Sequence, residues 1–139
     1  MNDPTKSGML PSVEGIVTRP SPFAVEETLV HLQTAIHSRN MNIFAHIDHS
    51  GEARRVGLTM QEAHVLIFGN PKGGTPLMIA SPLLALDLPL KVLVWQSVDD
   101  QVWVSTTSVD YLRDRYAIPQ ELVGNIAVVD AIIQQALQS

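Results

Sequence analysis

The sequence predicts an α+β fold: a small, mostly antiparallel sheet with helices packed on one of its faces, in two layers. Three observations predict it. Strand-like runs follow one another without a long helix between them, whereas a doubly wound parallel sheet needs a helix after every strand. Asp99-Asp100 separates two β-rich runs and reads as a hairpin turn, which makes that pair antiparallel. Two longer segments carry a single apolar stripe at helical spacing, so each has one face to bury and one to hydrate.

Residues 1–12, with Pro4, Gly8 and Pro11 among small polar neighbours, read as a loose tail, which leaves 13–139 as one domain. Residues 13–19 are β-rich and stop at Pro20, a first strand. Ser21-Pro22 reads as a helix N-cap followed by proline at the first helical position, and Glu26 and Glu27 then lie at the positive end of the helix dipole. Val25, Leu29, Leu32 and Ile36 recur at helical spacing, which carries that helix to about Arg39 and leaves His31 and His37 facing water. Residues 42–48 form a second strand. Strict alternation places Ile43, Ala45 and Ile47 on one face and Phe44, His46 and Asp48 on the other.

Residues 50–56 suit a helical turn, and 63–68 form a third strand that ends at Gly69. Asn-Pro-Lys-Gly-Gly at 70–74 reads as a loop. Thr75-Pro76 and Ser81-Pro82 each repeat the cap-plus-proline pattern, giving two short helical segments, because Pro82 has no amide to continue one helix. Residues 90–96 and 101–107 are the hairpin strands, with Trp95 and Trp103 as cross-strand neighbours. Residues 109–116 make a short helix closed by Pro119. Residues 121–138 make the last one, striped by Leu122, Ile126, Val129, Ile133 and Leu137.

Composition narrows the function. The formal net charge of −5, with 9 basic against 14 acidic residues and no basic stripe, argues against a nucleic-acid partner, because phosphate neutralisation drives such binding. The absence of cysteine removes disulfide, thiolate and thiolate–metal chemistry. No run approaches the ~20 apolar residues that span a bilayer, and the first residues carry no signal-peptide pattern, so the expectation is a cytoplasmic protein with no membrane partner. A charged fraction of 17% beside a hydrophobic fraction of 45% leaves apolar surface for a second copy to cover, so a homodimer is expected.

Two groups of residues carry candidate chemistry. Asn70, Lys72, Gly73, Gly74 and Thr75 suit a small anion: glycines bring amides close to a ligand, a helix starting at Thr75 offers free N–H groups and a positive dipole end, and Lys72 adds charge. The spacing matches neither phosphate-binding glycine motif, so no nucleotide and no cofactor is expected. The other group is His46, Asp48 and His49. His46 and Asp48 share a strand face, and a carboxylate beside an imidazole can orient it for acid/base work. A metal needs three protein ligands, and His64 or Asp87 would have to complete the set; the spacing fits no metal motif, so none is expected. Asp87 itself reads as a turn residue, with Lys72 or Lys91 as partners if it is buried.

The ordered stretches Phe68-Gly69-Asn70-Pro71-Lys72-Gly73-Gly74-Thr75-Pro76-Leu77-Met78 and Leu86-Asp87-Leu88-Pro89-Leu90-Lys91-Val92-Leu93-Val94-Trp95 are distinctive. With Ile47-Asp48-His49 and Val102-Trp103-Val104-Ser105, they resemble the bacterial and archaeal family called domain of unknown function 302, over residues 13–137. The resemblance implies a compact two-layer α+β domain, a homodimer, and no established activity. The chain departs from the family pattern at Gln96-Ser97, where an acidic pair is expected, and at Tyr116, where histidine is expected. Three functions follow as expectations. The first is a homodimer holding a small anionic ligand at Lys72 and the Gly73-Gly74-Thr75 helix start. The second is an enzyme using His46, Asp48 or His49 near that loop. The third is a partner-binding dimer without a small ligand.

Overall fold

The computed structural model describes residues 11–138; residues 1–10 of the expected tail lie outside them. In chain order the elements are β1 (Ile16–Pro20), α1 (Val25–Ser38), β2 (Asn42–Asp48), α2 (His49–Arg55), β3 (Ala63–Gly69) and α3 (Pro71–Ala80), then a 3₁₀ segment (Pro82–Leu86). β4 (Leu90–Gln96), β5 (Val102–Thr107), α4 (Val109–Tyr116), a second 3₁₀ turn (Gln120–Leu122) and α5 (Gly124–Ala136) follow. The strands form one sheet in the order β1-β5-β4-β3-β2, and every neighbouring pair is antiparallel.

The register sorts the strand residues by face. Leu66 pairs with Val92 and Val94 with Val104, and these side chains are buried against Leu32 and Ile36 of α1, Leu77 of α3, and Ile126, Ile132 and Ile133 of α5. This is the α+β layering that the sequence predicts, with the core between one sheet face and the helices. The opposite face presents Val65, Leu93 and Trp95 in cross-strand neighbourhood, all half-buried. Trp95 stacks on Trp103 at 6.2 Å between ring centroids. No described helix is long and apolar enough to cross a membrane.

Four local expectations are corrected. Ser21 does not cap α1. Its hydroxyl is buried against the Thr28 hydroxyl at 2.7 Å and accepts from the Phe23 amide, so the helix begins three residues later, after Ala24. His31 meets α5 rather than water, with Nδ1 3.2 Å from the Ala136 carbonyl. The last helix is interrupted at Val123, between the second 3₁₀ turn and α5. Finally, β2 does not alternate strictly. Ile43 pairs with Phe68, but Ala45 pairs with Ile67, so Phe44 is an extra residue in a β-bulge. Ile43 therefore faces the core, whereas Ala45 and Ile47 face the open side, and His46 and Asp48 return to the helix-bearing side.

Candidate functional site

The Pro71–Thr75 segment is helix, not loop. Asn70 is the N-cap of α3: its side chain accepts from the Lys72 amide at 2.9 Å, and its carbonyl takes the Gly73 and Gly74 amides at 3.0 and 2.9 Å. Asparagine at the cap and Pro71 at the first helical position are favourable choices for starting a helix. The same cap-plus-proline pattern at Thr75-Pro76 falls one turn too late. The proposed anion cradle thus lacks its premise, because the amides of residues 72–74 are turned to the protein's own oxygens. Pro76 sits inside α3 and leaves the carbonyl of exposed Lys72 without its helical donor. The next carbonyl, of Gly73, gains a side-chain donor from Asn125 at 3.0 Å.

What lies beside this helix start is an apolar cleft of about 210 Å³. Gly73, Gly74 and Met78 of α3 form one wall; Phe44, Leu88 and Pro89 stand among the residues opposite. Asn70, Thr75 and Asn125 supply its polar edge, and Lys72 is not among its lining residues. The bulge explains how Phe44 comes to line the cleft although its neighbours alternate along the strand. Of the sequence-predicted ligand residues, then, Asn70, Gly73, Gly74 and Thr75 do share a cavity, and Lys72 faces solvent.

The histidine–carboxylate cluster forms at the opposite end of the β2–β3 pair. Asp48 pairs directly with His64 across the strands, His46 pairs with Leu66, and Glu62 precedes β3 two residues before His64. His46 Nε2 lies 2.9 Å from His64 Nδ1, and His64 Nε2 lies 2.8 Å from Glu62 Oε2 and 3.7 Å from Asp48 Oδ1. Asp48 caps α2 by accepting the Gly51 amide at 2.8 Å. Gly51 permits this approach, since a Cβ there would stand 2.5 Å from Asp48 Oδ2. The Ser50 hydroxyl touches both acids, at 2.6 Å from Asp48 Oδ1 and 2.7 Å from Glu62 Oε2. Asp48, Glu62 and His64 are grouped closely enough to ligate one ion, with donor atoms within 4.8 Å of one another.

His49 opens α2 as an exposed side chain outside this cluster. Asp87 is also elsewhere: it ends the Pro82–Leu86 segment and accepts a hydrogen bond from the Tyr116 hydroxyl, which raises the tyrosine's pKa. Neither Lys72 nor Lys91 takes that place. Sequence reasoning missed Glu62 and Ser50. A period-2 spacing of Glu62 and His64 was the available signal, because residues two apart on an extended chain share a face. Along β3 the cluster and the cleft are separated by roughly 16 Å, so the histidines and Lys72 do not converge on one pocket.

The Ser50 hydroxyl, which donates to one acid at a time, followed by the Gly51 amide for Asp48 and by His64 for Glu62, holds both carboxyls below their ordinary values of 3.8 and 4.5. A carboxyl whose folded pKa is depressed stabilises the fold above its ordinary pKa and loses that contribution as pH falls through the folded value. In metal-free buffer, the urea midpoint is therefore expected to hold steady down to about pH 5 and to fall below about pH 4 through these groups. A Asp48→Asn, Glu62→Gln double variant should show a shallower acid limb. An identical limb would show that these two acids do not contribute to it.

The comparisons with known proteins agree with the fold. The structure is similar to the crystal structure of an uncharacterized conserved protein DUF302 from Bacillus stearothermophilus, with a TM-score of 0.74 over 90% of this chain and 97% of that one. At 15% identity, that likeness is one of fold alone. The chain is 34% identical over 104 residues to the fluoride-specific ion channel FluC 1 of Brucella suis biovar 1 (strain 1330), covering 75% of this chain and 41% of that protein. The fluoride-specific ion channel FluC 1 of Brucella abortus biovar 1 (strain 9-941) matches at the same identity over 38% of its length. The chain thus spans about two fifths of the length of these curated relatives. The family model described as "Domain of unknown function DUF302" matches residues 17–139, from β1 through α5, and the chain belongs to that family.

Proposed function

We propose that this chain is a small-molecule-binding domain whose ligand occupies the cleft beside the start of α3. One observation carries the reading: Gly73 and Gly74 stand side by side in a helix that does not require them. Neither has a positive φ; a Cβ would meet nothing at Gly73 and only Met78 Cε, at 3.9 Å, at Gly74. Glycine in a helix interior costs about 1 kcal/mol relative to alanine. Two such residues, here in the first turn, oppose the helix by up to about 2 kcal/mol, and the space they leave open is the wall of the cleft.

The chemistry of that wall favours an uncharged, mainly apolar body over the small anion expected from the sequence. The amides of residues 72–74 are already taken, and exposed Lys72 is not among its lining residues. A dry apolar cavity of about 150 Å³ holds benzene, so this larger cleft suits a ligand of one or two rings with a polar edge toward Asn125 and Thr75. The channel activity named for the Brucella proteins needs membrane-spanning segments. We infer that such segments belong to the part of those proteins that this chain does not match, and that the shared part is a binding module. The half-buried apolar residues on the open sheet face favour a second copy of the chain as the partner there.

The test is a thermal-shift titration with indole and with inorganic phosphate. Indole should raise the melting temperature of the natural protein, and Gly74→Leu, which fills the cleft, should abolish that rise without lowering the unliganded melting temperature. A shift with phosphate that disappears in Lys72→Ala would restore the anion site instead. No shift with either would remove the ligand-binding reading.

A further inference from the structure

We propose that Asp48, Glu62 and His64 form a binding site for a divalent transition-metal cation, with His46 orienting the imidazole ligand from behind. The site lies at the far end of the sheet from the apolar cleft and is independent of it. It rests on how the two strands and the first turn of α2 bring donors together. Asp48 and His64 are direct cross-strand partners, so their side chains leave the sheet on the same side. Glu62 joins them from two residues upstream of His64.

The donor geometry fits an ion. Zinc bonds to imidazole nitrogen and carboxylate oxygen at about 2.0–2.2 Å, so tetrahedral or octahedral ligands stand roughly 3 Å apart. His64 Nε2 lies 2.8 Å from one carboxylate oxygen and 3.7 Å from the other, which brackets that spacing. His64 is itself nine-tenths buried, so its ring is held in place, while both acid side chains remain more than a third exposed and leave the ion a way in. For Nε2 to ligate, the ring must carry its proton on Nδ1. His46 Nε2, 2.9 Å from that atom, is positioned to accept it. A second hydrogen-bond partner of this kind is the usual means of orienting a ligating histidine.

A second observation points the same way. Ser50 Oγ has one proton, yet it sits within 2.7 Å of an oxygen on each acid. It can donate to only one of them. Its lone pairs take the Ala63 amide at 3.4 Å and face the second carboxylate oxygen, and Arg54, 3.8 Å from Asp48, is the cation in ion-pair contact with the acids besides the histidine among the described residues. An ion between the carboxylates and His64 Nε2 supplies the missing positive charge. A mixed nitrogen–oxygen set of this kind suits zinc, manganese or iron better than magnesium or calcium, whose preferred ligands are all oxygen. Three protein ligands leave at least one coordination position open.

The experiment is a titration of the full chain with Zn²⁺ against a chromophoric chelator, repeated on Asp48→Asn, Glu62→Gln and His49→Ala. Asparagine keeps the cap of α2, so Asp48→Asn is expected to fold. Circular dichroism of each metal-free variant checks this. The expected result is one ion per chain and at least ~10-fold weaker binding in Asp48→Asn and in Glu62→Gln, with His49→Ala unchanged. Crystals soaked in Zn²⁺ should show an anomalous peak between the three donor atoms. Absence of stoichiometric binding, or an affinity in either acid variant unchanged from that of the natural chain, or an anomalous peak at His49 instead, would overturn the site.

Discussion

Phe68→Ala is expected to remove about 3–5 kcal/mol of folding stability, read as a drop in the urea midpoint. Phe68 is completely buried and heads the largest fully buried side chains of the described residues. It lies on β3, paired with Ile43 on one side and Leu90 on the other, so the lost ring cannot be replaced by a small movement of one edge strand. The cost has two parts: the apolar surface no longer withdrawn from water, and the void left between the sheet and the helices. A typical domain has only 5–15 kcal/mol in hand, so the variant should sit near the limit of stable folding. Phe68→Leu, which keeps most of the volume, should lose well under half as much. A loss below about 1 kcal/mol for the alanine variant would mean that the core around β3 collapses to fill the space.

Leu93→Lys is expected to convert the proposed dimer into a folded monomer, with association weakened at least ~100-fold. Leu93 lies on the open sheet face between Val65 and Ser105, and it is half-buried in the single chain. Five strands spaced by about 4.8 Å and roughly 20 Å long make a face of roughly 500 Å². That is more than half of the ~800 Å² per partner in a standard interface. An ammonium placed in such a contact without a partner costs about 3–5 kcal/mol, and Lys91 two residues away on the same face adds repulsion. The change leaves the core on the other side of the sheet untouched, so the melting temperature of the monomer should be preserved. Sedimentation of both proteins at ~100 μM decides the matter. A natural chain that sediments as a monomer sinks the dimer, and so does a Leu93→Lys chain that remains dimeric.

The fold was legible because its signals are local and mutually consistent. The short apolar, β-branched runs of β3, β4 and β5 need no tertiary knowledge to read, nor does the Asp99-Asp100 turn, where Asp100 adopts a φ of 68°. The stripes of α1 and α5 are equally plain. What was not legible depends on register. The bulge at Phe44 has no composition signal of its own, because Asn42–Asp48 alternates as well without it. Its presence moved Ile43 to the core and carried Phe44 into the cleft wall. The helix start was misplaced for a related reason. Asn70-Pro71 and Thr75-Pro76 are equivalent as strings, and only packing selects the earlier one as the start of α3. Of the catalytic candidates, the sequence placed His46 and Asp48 correctly on one face. It could not see that Ser50 and Glu62 would close around His64, since that meeting depends on the loop between α2 and β3.

The antiparallel pairing of β2 with β3 ties two remote chemistries to a single alignment. One end seats Asp48 against His64, and the other seats Ile43 against Phe68 beside the cleft. A side chain's direction reverses with each residue along a strand, so deleting one residue from the middle of β3 would strip the imidazole from its acids and turn the phenyl ring out of the core in the same stroke. Evolution of either end is therefore confined to exchanges of side chain. Insertions and deletions are left to the connection from Val56 to Met60, where the chain can change length without disturbing that alignment.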